Sequence, residues 1–587
     1  MSRVPLCGTL ILSLELIRRL NNLIHYRFNR QNSLKLMNSL RMKIFRRGKI
    51  ILLLSCVLIT ILTAWFTIRY LSTPKLDLLS ILPQSPVGYI SAKNLDDIIS
   101  AIEDTEFGKQ LKTLPILQTI KSNPTWRQLS YQKALWEYEM RGRLDRSVLK
   151  DFVCKEAILS FYNRNSLTFL LISQVGTSGK VQVSATEVQD VIDSRYKMVR
   201  EKYQDIETIT VVGFPEEFTY AFIGKIGLLS NDKILIQDAI DIYKKRKTGF
   251  VKQRYGELLS KEDKGNSSSL YFDLSQYPEH LPFGTVFKDI FKGVKIWSFS
   301  NKYGDGKVVS EHHFVLSNIH APPKTESREI LFMTPSDSAL LLSVDGVEPA
   351  GLWDICQTFF GVEMLYGDSR TGLEKYLGKQ TNFIMLGSSG EEVRLIPAMA
   401  FLIPITDAPT VTSLAPYTEV KKRLLELGNS IRISGKKLQF TGHKIYNGVN
   451  INLAELPLGF MISVKGGYAI IDGYLVVGTT IPIIQKIIDT ASGQQKPLNP
   501  MDYQLYLRKE STGYLFIHPP TLVPELQRIA SFYALIAGIS KERQASQIAS
   551  QISKNLYPLS SLGGISANFD FHESQGTAEI TILSEVR

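Results

Sequence analysis

The sequence predicts an α+β fold in which one N-terminal transmembrane helix is followed by two tandem homologous α+β units with mainly antiparallel sheets. Three observations lead to this prediction. A long apolar run with basic flanks lies near the N-terminus, a stretch of sequence recurs 248 residues further along, and that stretch passes from strand patterns to a helix pattern. At 587 residues the chain is also too long for a single hydrophobic core.

The positive charge of the chain is confined to its N-terminal end. The formal net charge is +12, and residues 1–75 hold 13 Lys and Arg against the single acid Glu15. The rest of the chain therefore carries 55 basic and 55 acidic side chains. A body without a basic excess has little to hold phosphates, so we expect no nucleic-acid partner.

The apolar run spans residues 50–68, which carry no charge and lie between Lys49 and Arg69. A helix of this length covers about 28 Å, close to the hydrocarbon core of a bilayer. Five cations within residues 41–49 predict, by the positive-inside rule, that the N-terminus stays in the cytoplasm. We therefore expect a basic cytoplasmic stub at 1–48, a transmembrane helix at 49–69, and a single-pass protein of the bacterial inner (cytoplasmic) membrane whose large C-terminal part faces the periplasm.

Three other interpretations of the run remain open. A cleaved signal peptide is disfavoured because no small-x-small cleavage site follows, and a lipoprotein signal ending at Cys56 because too few apolar residues precede that cysteine. A buried core helix is disfavoured by the basic flank. The first 41 residues are unusual ahead of an anchor, and they are either an over-extended start or a short amphipathic cytoplasmic helix. The true start is open between Met1, Met37 and Met42, the last of which begins MKIFRRGK directly before the run.

The internal repeat aligns Tyr220–Asp241 with Tyr468–Asp489 without gaps, and seven of the 22 positions are identical. Each copy predicts strand, two-residue turn, strand and amphipathic helix. The turn is Gly224-Lys225 in the first copy and Asp472-Gly473 in the second. Asp232 and Thr480 stand where a helix N-cap is expected.

Weaker matches in the same register extend the repeat into two units. The first is predicted at 77–320, with a helical insertion near 95–152, and the second at 328–587. The polar, proline-containing segment 321–327 is the predicted linker. Within the second unit, residues 520–557 are predicted to be helical, and their apolar portion 531–539 belongs either to the core or to a partner-facing helix.

Two sets of positions resemble a bacterial exported-protein family of uncharacterised function. One is the opening of the first unit; the other is the second hairpin with the helix that follows it, Tyr468 to Gln485. The resemblance spans nearly all of 77–587 and implies a membrane-anchored, periplasm-facing, duplicated α+β body, with no activity to carry over. The opening positions are Leu82, Pro83, Tyr89, Ile90, Asn94 and Leu95.

No catalytic, cofactor or metal site is predicted. Cys154 and Cys356 are far apart, and whether they pair is left open. The glycines at 367–372 have P-loop spacing, but Leu373 stands where the lysine is required, and the loop 387–390 lacks the spacing of a nucleophile elbow.

Side chains that could bind or react are most simply explained as structural. His312 and His313 lie on one strand and point to opposite faces, so they cannot chelate one metal, and both are expected at the surface. His518 is expected at a strand end. The cations at 244–247 are expected to form a solvated helix C-terminus.

The function predicted from these features is that of a membrane-anchored envelope protein acting as a non-enzymatic scaffold or binding module. A carrier or chaperone for an apolar ligand such as a lipid is the first alternative, and a hydrolase with a site assembled from distant segments is the second. The expected partners are the membrane, through residues 50–68, and either an envelope protein or an apolar ligand.

Overall fold

The computed structural model divides the chain into two units, Met1–Leu76 and Asp77–Arg587. The first unit, which contains the predicted stub and transmembrane helix, lies outside the described residues, as do the predicted linker and all four cysteines. The structure describes residues 77–94, 99–100, 102–111, 127, 130–131, 134, 137, 156–163, 167–175, 197–212, 217–250, 267–276, 293–304, 306–317, 330–346, 362–364, 376–387, 397–405, 415–433, 436–459, 462–508, 511–539, 554–572 and 575–584.

Several strands within Asp77–Arg587 alternate apolar and polar residues, as in SSLYFD at Ser268–Asp273. The first ten strands are β1 (Gly88–Lys93), β2 (Glu156–Asn163), β3 (Leu167–Gln174), β4 (Lys197–Tyr203), β5 (Ile206–Val212), β6 (Phe218–Ile223), β7 (Ile226–Ser230), β8 (Ser268–Asp273), β9 (Val294–Gly304) and β10 (Lys307–Leu316).

Thirteen later strands follow within the described residues, including three at Val362–Met364, Ile431–Ile433 and Lys436–Lys437 that form a small separate sheet. They are β11 (Ser338–Asp345), β12 (Val362–Met364), β13 (Gln380–Leu386), β14 (Met399–Pro404), β15 (Ile431–Ile433), β16 (Lys436–Lys437), β17 (Gln439–Tyr446), β18 (Val449–Gly459), β19 (Ile462–Ile471), β20 (Tyr474–Gly478), β21 (Gly513–Ile517), β22 (Gly564–His572) and β23 (Gln575–Leu583).

The other twenty strands of the described part of the chain form one continuous sheet. The antiparallel pairings give the order β4-β5-β6-β7-β3-β2-β1-β8-β9-β10-β23-β22-β21-β11-β13-β14-β20-β19-β18-β17. The central pair is β10 with β23, the last strand of each half. Counted outwards from that pair, the ten described strands on one side follow each other in the same relative chain order as the ten on the other side.

Helices pack on both faces of this sheet. The six that carry labels here are α1 (Glu106–Leu111), α2 (Lys233–Tyr243), α3 (Ile330–Met333), α4 (Ala415–Ser430), α5 (Ile481–Ala491) and α6 (Pro519–Ile539). The apolar residues of α2 and α5 recur at helical spacing and are buried, for example Ile236 and Ile240 in α2 and Ile484 and Ile488 in α5. We call the side of the sheet that α2 and α5 cover the helix face.

The opposite side, called the aromatic face below, is partly covered in the second half of the chain. Val420 and Leu424 of α4 pack against Tyr468 and Leu475 there, and Leu522 of α6 joins a cluster with Met385, Met399 and Ala339. The helix α6 runs to Ile539, but the side chains of 532–539 lie outside the described residues, so the place of the apolar stretch 531–539 stays a prediction.

The predicted fold class is wrong in its arrangement. Helices do accompany antiparallel strands, so the broad α+β class holds, but the two halves do not have separate sheets. The closing strands β10 and β23 pair with each other over nine residues, from Lys307–Leu583 to Val315–Gln575. Sequence patterns identify strands and faces, but an exposed edge strand can pair with any other edge, so the patterns did not specify this junction.

The predicted single-pass localisation in the inner membrane is also contradicted. No helix within the described ranges is both long and apolar enough to cross a membrane. Most apolar residues of α2 and α5 are buried on one side of each helix, although Ile234 of α2 is 54% exposed. Such one-sided burial is typical of helices that pack on a globular core. The apolar run 50–68 is itself outside the described residues.

The predicted local structure of the repeated segment is confirmed in both copies. Ile223 pairs with Ile226, and Ile471 with Tyr474, so each hairpin has a two-residue turn. Gly224 has φ +61°, as a Gly-first turn requires, whereas Asp472 and Gly473 both have positive φ, of +46° and +81°. The helix that follows begins after the expected residue in each copy. Asp232 caps α2 by accepting a hydrogen bond from the backbone N–H of Ile234, whereas the hydroxyl of Thr480 makes no capping hydrogen bond. The duplication itself and the limits of the two repeat units, 77–320 and 328–587, stay predictions.

Candidate functional site

The central strands of the sheet differ strongly between their two faces. Cross-strand partners in an antiparallel ladder lie on the same face, so the register defines rows of side chains across β22, β23, β10, β9, β8 and β1. On the aromatic face the first row is Phe571, Gly576, Phe314, Trp297, Phe272 and Gly88; the second is Phe569, Ala578, His312, Phe299, Leu270 and Ile90; the third is Ala567, Ile580, Ser310, Asn301, Ser268 and Ala92.

Seven half-buried rings lie in the first two rows, and we call them the aromatic plate: Phe272, Trp297, Phe299, His312, Phe314, Phe569 and Phe571. The first five are linked by ring contacts, whereas Phe569 and Phe571 lie on β22, across Gly576 and Ala578 of β23. The His312 ring stacks between its neighbours, with its centroid 6.0 Å from Trp297 and 6.2 Å from Phe314, both at 10° between planes. Phe299 approaches it to 5.1 Å. Such ring contacts add about 0.5–1.5 kcal/mol per pair beyond the area they bury.

Two glycines make room for the outer rings of the plate. A Cβ on Gly576 would lie 2.9 Å from Cδ1 of Phe571 and 3.7 Å from Cβ of Phe314, and a Cβ on Gly88 would lie 2.7 Å from Cδ1 of Phe272. Any larger residue at these positions would therefore displace a ring. The two glycines let Phe571 and Phe272 lie across the neighbouring strands and extend the aromatic surface.

Both ring nitrogens of His312 are engaged in hydrogen bonds. The indole Nε1 of Trp297 donates to Nδ1 of His312 at 3.2 Å, so the ring proton lies on Nε2. That Nε2 donates to Oγ of the buried Ser310 at 2.9 Å. Burial, and to a lesser degree the charge of neighbouring His313, lower the pKa of His312 from 6.5 to about 4. At neutral pH this ring is uncharged, and it has no open lone pair for a metal or a substrate proton.

A neutral polar group borders the plate in the third row. Nδ2 of Asn301 donates to Oγ of Ser268 at 3.0 Å, and Ser310 lies beside them on β10. We call Ser268, Asn301 and Ser310 the polar trio. None of its side chains is charged, so it can hydrogen-bond to a ligand without holding an ion.

A second cluster of polar groups occurs in the second half of the chain. Lys486 of α5 forms an ion pair with Asp337. The rings of Tyr503 and His518 are 4.9 Å apart, and Nδ1 of His518 shares a 2.5 Å hydrogen bond with Oγ1 of Thr521. Burial lowers the pKa of His518, and burial followed by nearby carboxylates raises the pKa of Tyr503. These groups pair with one another, which is typical of a structural network.

Two matching contacts hold the outermost hairpins onto the helices. The Tyr203 hydroxyl donates to Oδ2 of Asp241 at 2.9 Å, and the Tyr446 hydroxyl donates to Oδ2 of Asp489 at the same distance. Asn447 also donates to Oδ1 of Asp489, at 2.8 Å. Asp241 and Asp489 are one of the identical pairs in the sequence repeat. Their role was not predicted, because the tyrosines are 38 and 43 residues away and match no common spacing.

The structure tests several of the residues considered from the sequence. His312 and His313 do face opposite sides, since their partners on β23 are Ala578 and Thr577. The expectation that both are simple surface residues is wrong for His312, which is half-buried in the plate, and His313 is likewise only partly exposed. His518 follows β21 directly, as predicted. The cations at 244–247 are exposed beyond α2, also as predicted.

Within the described part of the chain, no group of three or more His, Cys, Asp or Glu side chains could hold a metal ion. The glycines at 367–372 lie outside that part, as do residues 388–390 of the predicted loop. The plate itself was missed because its members come from four strands. The available signals were the alternation of Trp297 and Phe299 with serines and the position of Phe314 two residues after His312.

No protein-family model matches the sequence, and a search of curated proteins finds no match. Among solved structures, the chain is similar to TP0453. Against crystal form I of that protein the TM-score is 0.26 at 7% identity, covering 53% of this chain and 92% of the other. Against form III the TM-score is 0.25 at 8% identity, covering 53% of this chain and 92% of the other. Against form IV the TM-score is 0.23 at 9% identity, covering 41% of this chain and 81% of the other. These likenesses are too distant to support any argument about function.

Proposed function

We propose that this protein is a non-enzymatic binding protein whose ligand is an apolar chain, such as the acyl chain of an amphiphile, held against the aromatic plate. The plate is the observation that supports the proposal. An antiparallel sheet normally has one apolar face packed and one polar face in water. Here the helix face at β9, β10, β22 and β23 is rich in serine, threonine and other polar residues, while the aromatic face is apolar.

The size and exposure of the plate favour a thin ligand. Of the apolar side chains in the first two rows, Ile90 is the most exposed, at 42%, and the others are half-buried or buried. A stable protein partner needs about 800 Å² on each side, which half-buried rings supply poorly. An acyl chain needs only contact along a line of rings.

The state of His312 argues for binding rather than catalysis. Its nitrogens bond to Trp297 and Ser310, and the neutral ring presents a flat surface continuous with the phenylalanines. A general base would need an open nitrogen and a pKa near neutrality. The hydrolase alternative therefore has no support from this histidine.

Binding can be measured by titrating the full chain with monolaurin and following tryptophan fluorescence. We expect saturable binding with a change in emission from Trp297. That change should vanish in Trp297→Phe, which keeps an aromatic ring, while calorimetry shows that binding persists. Unchanged emission on saturation, or no saturable binding at all, would contradict the proposal.

Phe314→Asn and His313→Asn form a matched pair on β10, one on the plate and one on the opposite face. Loss of about 55 Å² of apolar contact, at about 25 cal/mol per Å², corresponds to roughly a tenfold weaker affinity. We expect this loss for Phe314→Asn and none for His313→Asn. Equal effects of the two substitutions would show that the plate is not where the ligand binds.

The duplication of the chain is part of the same proposal. The recurring order of strands on either side of the β10–β23 pair and the paired contacts at Asp241 and Asp489 support two related units within 77–320 and 328–587. The plate would then lie where the two units meet, with Phe314 contributed by one and Phe571 by the other.

A further inference from the structure

The polar trio lies at the edge of the aromatic plate, two residues along β9 from Phe299. Asn301 donates one Nδ2 hydrogen to Ser268, and within the described residues its Oδ1 accepts no hydrogen bond. Ser310 accepts from His312, which leaves its own hydroxyl hydrogen to be donated. The trio therefore offers one open acceptor and at least one open donor, already oriented by bonds inside the protein.

We propose that the trio binds the head group of the ligand and selects an uncharged, hydrogen-bonding head such as an alcohol or glyceryl ester over a carboxylate or a phosphodiester. This inference rests on the proposed function, since it assumes that the apolar chain occupies the plate. The chain of such an amphiphile would extend from Asn301 across Phe299 and Trp297.

Charge is the reason for the selection. None of the residues of the three rows is charged. The nearby side chains of Lys302 and Glu311 belong to the helix face, because they alternate with Asn301 and Ser310 along their strands. Their charged groups pair with each other at 3.3 Å. Ser310 is only 7% exposed. An anionic head brought against this group would lose water without gaining a cation, which is costly, whereas a hydroxyl or ester would exchange one set of hydrogen bonds for another.

Lys295 is the competing anchor. It is exposed at the β-bulge where β9 begins, beyond the other end of the aromatic rows. Asn301 is six residues further along, roughly 20 Å for an extended strand. A fatty acid could place its carboxylate at Lys295 and its chain on the same rings in the reverse direction. An exposed lysine adds little to affinity, however, because its charge is well solvated.

Three ligands with the same chain and different heads separate these cases: monolaurin, lauric acid and lauroyl lysophosphatidylcholine, each titrated into the full chain by calorimetry. We expect monolaurin to bind at least about tenfold more tightly than either charged ligand. Asn301→Leu should weaken monolaurin by about tenfold, because it removes the acceptor and a donor. Lys295→Gln should leave monolaurin unchanged.

The outcomes distinguish the two proposals. If lauric acid binds as tightly as monolaurin, or if its binding is lost in Lys295→Gln, the head-group inference is wrong and the proposed function stands. If none of the three ligands binds, the proposed function fails and the inference fails with it. The comparison of heads on the unaltered chain does not depend on a variant folding correctly.

Discussion

His312 should make the stability of this protein depend on acid. Its pKa is held at about 4 in the folded chain, against 6.5 for an ordinary histidine. Between these values the unfolded chain binds a proton that the folded chain excludes. The stabilising contribution is therefore complete above pH 6.5 and is lost as the pH falls towards 4.

The expected magnitude follows from the pKa difference. A pKa of about 4 instead of 6.5 corresponds to roughly 3 kcal/mol as an upper value, because a tenfold change in proton affinity is worth about 1.36 kcal/mol. The ring is only half-buried, so screening by water reduces this to about 1–2 kcal/mol. Among the described residues, the groups in contact with the ring are Trp297, Phe299, Phe314 and Ser310, and none of these four offers a carboxylate that would stabilise the protonated form. The neighbouring His313 lowers the pKa of His312 further.

The assay is urea unfolding at about pH 7 and about pH 4, comparing the unaltered chain with His312→Phe. Many acids also titrate in this range, so the informative quantity is the difference between the two proteins. We expect the free energy of unfolding to fall by about 1–2 kcal/mol more in the unaltered chain. The matched control is His443→Gln, because His443 is exposed on β17. A pH dependence that is equal in the unaltered chain and in His312→Phe would refute the reasoning.

Two other predictions concern the hairpins. Gly473 has φ +81°, and a Cβ at this position would meet no atom within 4 Å, so Gly473→Val should destabilise the protein by about 1–2 kcal/mol from backbone strain alone. Lys225→Val, at the position of negative φ in the other copy, should destabilise it little. Thermal melts that show equal losses of stability for the two variants would contradict this account. Asp489→Ala removes the carboxylate that accepts hydrogen bonds from both Tyr446 and Asn447. Amide hydrogen exchange in β17 and β18 should therefore become faster, while exchange in β10 stays unchanged. Unaltered protection in the β17–β18 hairpin would show that this contact does not stabilise the hairpin.

The sequence was informative wherever a structural requirement is local. A two-residue turn requires positive φ, and Gly224 and Gly473 therefore marked both turns correctly. Helix caps and the buried sides of α2 and α5 are equally local. The pairing of β10 with β23 depends instead on which of several edge strands meet, and no residue on either strand encodes its partner.

The candidate site was hidden for a related reason. Trp297 and Phe299 are visible as an alternating pattern on β9, but that pattern is the same whether a strand packs against a helix or forms a ligand surface. Phe571, far along the chain from Phe314, reaches the same surface only because the β10–β23 junction forms. A site assembled across a non-local junction cannot be predicted before the junction is known.

The junction itself connects the stability of the fold with the proposed site. On the helix face, Glu311 of β10 lies directly opposite Glu579 of β23. Like charges in that position destabilise a pair of strands. Each carboxylate has a cation of its own half, Lys302 for Glu311 and Arg508 for Glu579.

These exposed ion pairs offset the repulsion but add little beyond that. The net attraction between the two closing strands must therefore come from their backbone hydrogen bonds and from the aromatic face, where the Phe571 ring lies over Gly576 and Cβ of Phe314 lies beside it. The same rings would stabilise the junction and bind the ligand. It follows that a saturating ligand should raise the melting temperature of the whole sheet, whereas Phe314→Asn should lower the melting temperature even without ligand. For this reason the affinities of plate variants are interpretable only at temperatures where each variant remains folded.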